Sequence, residues 1–401
     1  MFDRNKAIMA LEQKRAKFQA YRARQEAQQL QLEEWLERFA HFDYATMCAA
    51  LAEVSNQWPG ALPTPEWDRA DRLCIPFAQQ WRDHRAARGW ALDVLLNRPV
   101  AAVDGSQIAP TKDIWPPVGA VQIGWFVNEH RTGGSYRKEL LFEILAPDEL
   151  SEDEDDDVVA EGSFPNQFVN QMRFVRECEK ICELMAEYAT APERERPLCF
   201  FDGSFIISFA GRMLPRHADP YVRAVQQLLE CSQLYRTPVV AFVDRSASRD
   251  IVTLMETLNQ RSNTIVPHDA RLIERCVTKW GDRSPFFVCA RADGLSEQGR
   301  APFYQDVVFA YIKLTNDLPP ARIELPRWVL DAGRAEEIVD LVRAECVVGG
   351  GYPYAIETAD AVAVISQQDR QRFYALYQQF VAQEGGALQQ TRKALSKQGR
   401  R

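Results

Sequence analysis

Two stretches of sequence, VAAVDGS at residues 100–106 and LCFFDGS at residues 198–204, decide the fold. Each is an apolar run that a sheet would bury, and each closes on the same Asp-Gly-Ser tripeptide. A carboxylate at the C-terminal end of a buried strand is held at the sheet rim, and the following glycine allows a sharp turn. Each Asp-Gly pair taken alone is more typical of a simple β-turn. Its recurrence after two core strands favours Asp104 and Asp202 as neighbouring carboxylates that share a divalent cation.

The sequence around these two strands predicts an α/β domain. Alternating apolar stretches at 118–129 and 135–145 follow the first strand and predict a three-stranded meander. Further along, helical patterns alternate with the apolar segments PVVAFVD, FFVCAR, VVFAYIKL and ARIELP. Helices that alternate with strands in this way predict a mixed sheet flanked by helices.

A long amphipathic helix is predicted over residues 3–39, which contain no Gly or Pro. Its apolar stripe is thin, so the helix packs either on a partner or on the body of its own protein. Helical patterns also cover 45–54 and 82–96. We therefore expect an N-terminal helical extension at 1–97, an α/β domain at 98–385 and a basic, flexible tail at 386–401. The stripe consists of Ile8, Leu11, Phe18, Leu30, Leu32, Trp35 and Phe39.

Composition excludes several classes of protein. The 401 residues are 46% hydrophobic and carry 48 Lys and Arg against 56 Asp and Glu, a net charge of -8, so any phosphate-binding surface must be local. The absence of a long apolar run or an apolar N-terminal stretch predicts a cytoplasmic protein without a membrane segment. The nine cysteines form no CxxC pair and the histidines form no HxH or HExxH motif, which argues against a zinc site. The acidic run SEDEDDD at 151–157 is most simply a solvated loop.

Two more carboxylates are candidates for a shared cation site. The predicted helix before the second strand has Glu177 at the boundary of its apolar face, whereas Glu179, Glu183 and Glu187 point to the far side. After the glycine-rich loop GGGYPY, a predicted helix carries Asp360 on an otherwise apolar surface. Because an unpaired buried acid is costly, Asp360 either faces solvent or meets a cation.

The combination of AAVDGS, FFDGSF, AFVDRSASR, ARIELP and GGGYPYAIETADAVAVI resembles the NurA family of DNA-repair nucleases over roughly residues 100–383. The resemblance implies an RNase H-like, PIWI-like core that binds Mn²⁺ or Mg²⁺ through carboxylates. It also implies single-strand endonuclease and 5′–3′ exonuclease activity in DNA end processing and double-strand break repair. The implied assembly is a ring-like homodimer that works with a HerA-type hexameric helicase or translocase.

The resemblance also assigns residues. Asp104 matches the acid of the first strand, Asp202 that of the second, and Tyr352 the tyrosine of the YP motif. Glu177 is the best match to the helix glutamate, and Asp360 stands where family members often have histidine. The implied catalytic set is Asp104, Glu177, Asp202, Tyr352 and Asp360, with the four acids as metal ligands, and the implied nucleic-acid contacts are Arg245, Arg249 and Tyr352.

An alternative interpretation has the same α/β fold but no catalytic activity. In it the chain is a catalytically inactive α/β binding module that docks on a motor ATPase. Trp35 and Phe39 of the long N-terminal helix would then form the docking surface. Convergence of the four acids within reach of one cation distinguishes the nuclease from this module.

Overall fold

A computed structural model describes residues 2–39, 41–54, 56–151, 166–260 and 268–390 of the chain. Residues 152–157 of the predicted acidic loop and residues 391–401 of the predicted basic tail lie outside the described residues. All nine cysteines are free thiols. No helix in the described ranges is long and apolar enough to cross a lipid bilayer.

The helices and strands follow the predicted alternation closely. The helices are α1 (Arg4–Phe39), α2 (Tyr44–Glu53), α3 (His84–Leu95), α4 (Pro147–Ser151), α5 (Asn166–Glu187), α6 (Pro215–Tyr235), α7 (Asp250–Asn259), α8 (Asp269–Ile273), α9 (Arg327–Asp331), α10 (Ala335–Val348), α11 (Tyr354–Ala363) and α12 (Gln367–Gln383). The strands are β1 (Gly60–Pro63), β2 (Val100–Ile108), β3 (Ile114–Trp115), β4 (Gly119–Asn128), β5 (Tyr136–Leu145), β6 (Leu198–Asp202), β7 (Val239–Val243), β8 (Phe287–Ala290), β9 (Val307–Ile312), β10 (Ala321–Pro326) and β11 (Gln389–Gln390).

The chain divides into two compact units. The first unit consists of Met1–Gln80 and Phe242–Arg327, and the second of Trp81–Ala241 and Trp328–Arg401. Each unit is therefore built from two separate segments of sequence.

The second unit contains a mixed sheet in which β6, β2, β4 and β5 lie side by side. β2 pairs with β6 in parallel, whereas β2 with β4 and β4 with β5 are antiparallel. This arrangement confirms the predicted meander and the mixed α/β architecture. Helices α5 and α11 both pack on β2 and β4, and α6 packs on α5.

The two helices that cover β2 lie on opposite faces of this sheet. A Cβ atom at Gly105 in β2 would meet Glu177 of α5, whereas one at Gly124, in β4, would meet Ala363 of α11. Gly124 is paired with Asp104, the residue next to Gly105. Because neighbouring residues of a strand point to opposite faces, the side chain of Asp104 projects toward α11, and α5 covers the other face.

The first unit contains β1, β8, β9 and β10, joined in that order by antiparallel pairing. Strand β1 lies in a segment that contains several prolines and tryptophans, and proline is typical of loops. It is four residues long, and its partner β8 is more than 200 residues away in sequence, so no local pattern identifies it. Gly60, the first residue of β1, has φ +86°, and a Cβ atom there would lie 2.4 Å from the carbonyl oxygen of Asp250.

Helix α1 belongs to the first unit and contacts α7 and α8. Trp35 and Phe39, near its C-terminal end, are buried, whereas Ile8, Leu11, Phe18 and Leu30 are exposed. The helix is thus anchored on its own unit by its last turns. The prediction that Trp35 and Phe39 form a docking surface is wrong, because neither ring is accessible to a partner.

Candidate active site

The two Asp-Gly-Ser aspartates are neighbours in the sheet of the second unit. The parallel register of β2 and β6 places Val103 beside Phe201, so Asp104 and Asp202 follow as the next pair. Asp202 is exposed and Asp104 is half-buried. The recurrence of the tripeptide in the sequence therefore corresponds to a real juxtaposition of two carboxyl groups.

The two tripeptides differ in their backbone. β6 ends at Asp202, and Gly203 turns the chain with φ +146°. β2 continues through its Asp-Gly-Ser to Ile108, because β4 pairs with it along its whole length. The prediction that both tripeptides follow the end of a strand is therefore wrong for the first one.

Glu177 approaches β2 at Gly105 from α5, on the sheet face opposite the side chain of Asp104. A Cβ atom at Gly105 would lie 2.5 Å from Oε1 of Glu177, so glycine at this position lets α5 approach β2 closely. The side chain of Glu177 is buried. The other three glutamates of the helix pair at the surface with basic residues, as Glu179 with Arg176, Glu183 with Lys180 and Glu187 with Arg137.

Asp360 reaches the aspartates from α11. The glycine at position 124 allows the close approach of this helix, because a Cβ atom there would lie 2.7 Å from the backbone nitrogen of Ala363. Asp360 is exposed, and its carboxyl group lies within hydrogen-bonding reach of the Asp104 carboxyl group. The sequence left two alternatives for Asp360, exposure to solvent or a place at a cation site. The structure shows that Asp360 is exposed and also has a neighbouring acid, Asp104.

Tyr352 is positioned by the glycine-rich loop between α10 and α11. Gly350 and Gly351 adopt φ values of +70° and +118°, which L residues rarely adopt. The hydroxyl group of Tyr352 donates a hydrogen bond of 2.9 Å to Oδ1 of Asp202. Tyr352 therefore orients one of the two strand carboxylates.

Burial and, to a smaller extent, neighbouring acids disfavour the ionised forms of two of these carboxyl groups. Burial raises the pKa of Asp104 to about 6, with further contributions from the hydrogen bond with Asp360 and the charge of Asp202, while the backbone N–H of Gly105 opposes the rise. Burial also raises the pKa of Glu177 to about 8, and the charges of Asp104 and Asp202 add to it. Burial therefore favours the protonated form of Glu177 at neutral pH and shifts Asp104 toward protonation, and the neighbouring acids add to both shifts.

Arg173 is a cation of this site that sequence reasoning missed. Its Nη1 donates to Oε1 of Glu177 at 2.8 Å and to the carbonyl oxygen of Gly105 at 3.1 Å. Arg173 lowers the pKa of Glu177, although burial outweighs it. Arg173 precedes Glu177 by one helical turn, and this i,i+4 spacing is the signal that could have identified the pair.

The donor set suits a hard divalent cation, because every candidate ligand is a carboxylate oxygen. Within the described ranges, however, no three His, Cys, Asp or Glu side chains are arranged so that they could hold a metal ion. Two of the four acids make other contacts, Asp202 with Tyr352 and Glu177 with Arg173. The residues fit the ion by their chemistry, and the ligand sphere itself is not assembled.

Arg245 and Arg249, the predicted nucleic-acid contacts, belong to the first unit. The Arg245 side chain is 79% exposed, and its Nε lies 3.9 Å from Asp244. Nη2 of Arg249 donates to Oε1 of Glu256 at 2.9 Å. Their contact with nucleic acid stays a prediction.

Known proteins share features with this chain in sequence and in structure. A family model described as the NurA domain matches residues 98–365. The curated proteins contain no match. One similar solved structure is NurA with manganese, which is 9% identical, covers 70% of this chain and 88% of its own, and has a TM-score of 0.40. A second is NurA bound to dAMP and manganese, which is 11% identical, covers 69% of this chain and 86% of its own, and has a TM-score of 0.37. A third is endonuclease V from Bacillus subtilis, which is 10% identical, covers 76% of this chain and 97% of its own, and has a TM-score of 0.32. At these TM-scores the likenesses do not bear on the assignment, but the family model spans more than half of the sequence, and the chain therefore belongs to the NurA domain family, a family of nucleases.

Proposed function

We propose that this chain is a metal-dependent deoxyribonuclease that cuts single-stranded DNA internally and degrades it from 5′ ends. The observation that carries the proposal is the register of β2 and β6, which makes Asp104 and Asp202 neighbours, while Asp360 influences Asp104 and the charges of both strand aspartates influence Glu177. Membership of a nuclease family supports the same conclusion.

Asp104, Glu177, Asp202 and Asp360 would hold Mn²⁺ or Mg²⁺. When bound, the ion supplies Lewis-acid activation of water and neutralises negative charge at the scissile phosphate. The chain's own residues prepare this site. Tyr352 keeps the carboxylate of Asp202 in one orientation, and Arg173 keeps Glu177 against β2.

The proposed biological setting is DNA end processing in double-strand break repair in the cytoplasm. There the protein would act as a homodimer with a HerA-type hexameric translocase, and Arg245, Arg249 and Tyr352 would contact DNA. Family membership supports this setting. Size-exclusion chromatography with light scattering tests the dimer, and co-elution with a purified HerA-type hexamer tests the partnership.

Cleavage of labelled single-stranded DNA in the presence of Mn²⁺ tests the activity. We expect Asp104→Asn and Glu177→Gln each to lose at least about 100-fold in rate, as when one preorganised stabilising group is removed from an active site. Glu183→Gln is the matched control, because Glu183 lies on the same helix and its side chain is 61% exposed. Equal rates for wild type and Asp104→Asn, or cleavage that persists in excess EDTA, would contradict the proposal.

One observation favours the alternative of a catalytically inactive module that docks on a motor ATPase. Among the residues described, no three potential ligands are arranged for a metal ion. This alternative predicts no cleavage at any Mn²⁺ concentration together with binding to the motor. The same cleavage assay therefore separates the two functions.

A further inference from the structure

The N-terminal part of α1 is a strongly basic segment in an acidic protein. Residues 3–24, which we call the basic arm, contain seven Lys or Arg and two Asp or Glu, a formal charge of +5 in a chain of -8. Every residue of the arm is exposed except Ala7, which is half-buried. The C-terminal end of α1 is fixed, since Trp35 and Phe39 are buried and Nη1 of Arg38 donates to Oδ1 of Asn259 at 3.2 Å.

Most of this positive charge is not neutralised within the arm. Lys6 lies 3.9 Å from Asp3, and Arg15 pairs with Glu12. The other five cations have no acidic group within ion-pair distance among the residues that the structure describes. These five are Arg4, Lys14, Lys17, Arg22 and Arg24.

Six of the seven cations form two rows along the helix, and Lys14 lies between them. At about 100° per residue, Arg4, Arg15 and Arg22 fall within about 20° of one another. Lys6, Lys17 and Arg24 repeat the same spacing on the opposite side. From the first to the last cation the arm spans about 30 Å at 1.5 Å per residue, so the rows form an extended track of charge rather than a single cluster.

Two exposed aromatic rings lie within the track. Phe18 is 58% exposed and Tyr21 is 56% exposed. They lie between Lys14 and Arg22 in sequence. Cationic surfaces interleaved with aromatic side chains are typical of sites that bind single-stranded nucleic acid, where rings stack on bases and cations bind phosphates.

We infer that the basic arm is a nucleic-acid-binding element that holds the phosphate backbone of the DNA on which the protein acts. The inference rests on the proposed nuclease function, and charge complementarity selects the partner. The remainder of the chain carries a formal charge of -13, so it repels a polyanion on average, and the arm supplies the local attraction.

Fluorescence anisotropy of labelled DNA in EDTA tests the arm without cleavage. The test variant combines Lys14→Gln, Lys17→Gln, Arg22→Gln and Arg24→Gln, since glutamine preserves helix propensity. We expect single-stranded DNA to bind at least about tenfold more weakly at moderate salt, with a salt slope reduced by roughly 0.7 for each phosphate that the variant no longer neutralises. A parallel measurement with a duplex of the same length shows which form of DNA supplies the phosphates.

The matched control removes four exposed cations elsewhere, as Arg85→Gln, Arg88→Gln, Arg271→Gln and Arg372→Gln. The inference predicts near wild-type affinity for this control. Unchanged affinity and salt slope in the arm variant would overturn the inference, and so would an equal loss in the control. Loss of binding to phosphatidylserine vesicles with unchanged DNA binding would also overturn it, in favour of a membrane surface.

Cleavage measurements separate this inference from the proposed function. The arm variant should still cleave short oligonucleotides at saturating concentration, while Asp104→Asn should keep the anisotropy affinity of the wild type. An arm variant that binds DNA normally and still cleaves it would refute the proposed role of the basic arm and leave the nuclease function standing. A wild type that binds DNA through the arm but never cleaves it refutes the nuclease alone.

Discussion

Buried carboxylates occur in both units, and the two sets differ in how their charge is balanced. In the first unit, Asp250 lies 2.6 Å from Arg291 and 2.7 Å from Arg322. Burial opposes its ionisation, yet the two arginines outweigh burial and hold the pKa of Asp250 below its usual value. In the second unit, burial and neighbouring acids raise the pKa of Asp104 to about 6 and that of Glu177 to about 8, and Arg173 only partly offsets the shift of Glu177.

The difference separates a structural cluster from a candidate binding site. Asp250, balanced by two arginines, needs no further partner. In the second unit the carboxyl groups destabilise one another, and a divalent cation would relieve this repulsion on binding. Raised pKa values of neighbouring carboxyl groups are a physical indication of a functional site.

The largest expected effect comes from breaking the balanced cluster. Arg322 is buried, contacts Asp250 and Glu324, and stacks over Phe309 with its guanidinium carbon 3.8 Å from the ring centroid. Arg322→Met keeps much of this packing but leaves Glu324 without its arginine, so we expect a loss of about 3–5 kcal/mol in the free energy of unfolding. Urea unfolding followed by tryptophan fluorescence measures it.

Arg173→Met is the matched control in the second unit. With a pKa of about 8 the Glu177 carboxyl group is already largely protonated at neutral pH, and removal of Arg173 raises this pKa further, so no buried charge is left unpaired. The loss in the free energy of unfolding for Arg173→Met should therefore be much smaller than the loss for Arg322→Met. Equal losses for the two arginines would show that the two units do not differ as proposed.

Mn²⁺ should stabilise the unbalanced site and leave the balanced cluster unaffected. At about 100 times its Kd, a ligand that binds the folded state adds about 2.7 kcal/mol to the free energy of unfolding. We expect this gain in the wild type and in Arg322→Met, and its absence in Asp104→Asn. Thermal unfolding with and without Mn²⁺ measures it, and an equal gain in Asp104→Asn would place the ion elsewhere.

The contributions of Glu177 and Asp250 to the pH dependence of stability should have opposite signs. The pKa of Glu177 is raised to about 8 on folding, so the folded state holds a proton that the unfolded state releases above its ordinary pKa. This contribution to stability is complete below the unfolded pKa and is lost as pH rises toward 8, by up to about 1.4 kcal/mol per pH unit. Asp250, with a lowered pKa, contributes stability that is lost as pH falls through its folded pKa.

Glu177→Gln isolates this effect. Glu345 and Asp269 are also buried, and burial raises the pKa of each to about 7. Their contributions to stability therefore also fall as the pH rises. The measured quantity is therefore the difference between wild type and Glu177→Gln from pH 5 to pH 8 in urea unfolding. Parallel curves would refute the raised pKa of Glu177.

The sequence contains enough information to place the sheet and most of the carboxylates. The apolar runs before Asp104 and Asp202 identify β2 and β6, and helical periodicity places Glu177 at a buried boundary, where the structure has it. These features depend on local periodicity, which side-chain burial in strands and helices enforces directly.

Features that depend on distant partners could not be predicted in this way. Whether β2 stops after Asp104 or continues depends on pairing with β4, and the existence of β1 depends on β8. The apolar stripe of α1 does not indicate which of its residues are covered, and only Trp35 and Phe39 among those described are buried. The balance of Asp250 by Arg322 joins residues 72 positions apart, which no local pattern reports.

The smallest expected effect concerns the hydroxyl group of Tyr352. Tyr352→Phe removes the 2.9 Å hydrogen bond to Asp202 and keeps the ring. Because Asp202 is exposed, water can replace the lost donor, and the free energy of unfolding should change by less than about 1 kcal/mol. Orientation of a ligand is less easily replaced, so Mn²⁺ affinity should fall by about tenfold, the lower end for partners of metal ligands. Tyr354→Phe is the control, since Tyr354 follows in the same segment and packs edge-on against Phe126. Calorimetric titration with Mn²⁺ measures both variants, and equal affinities would show that Tyr352 does not orient Asp202 for the ion.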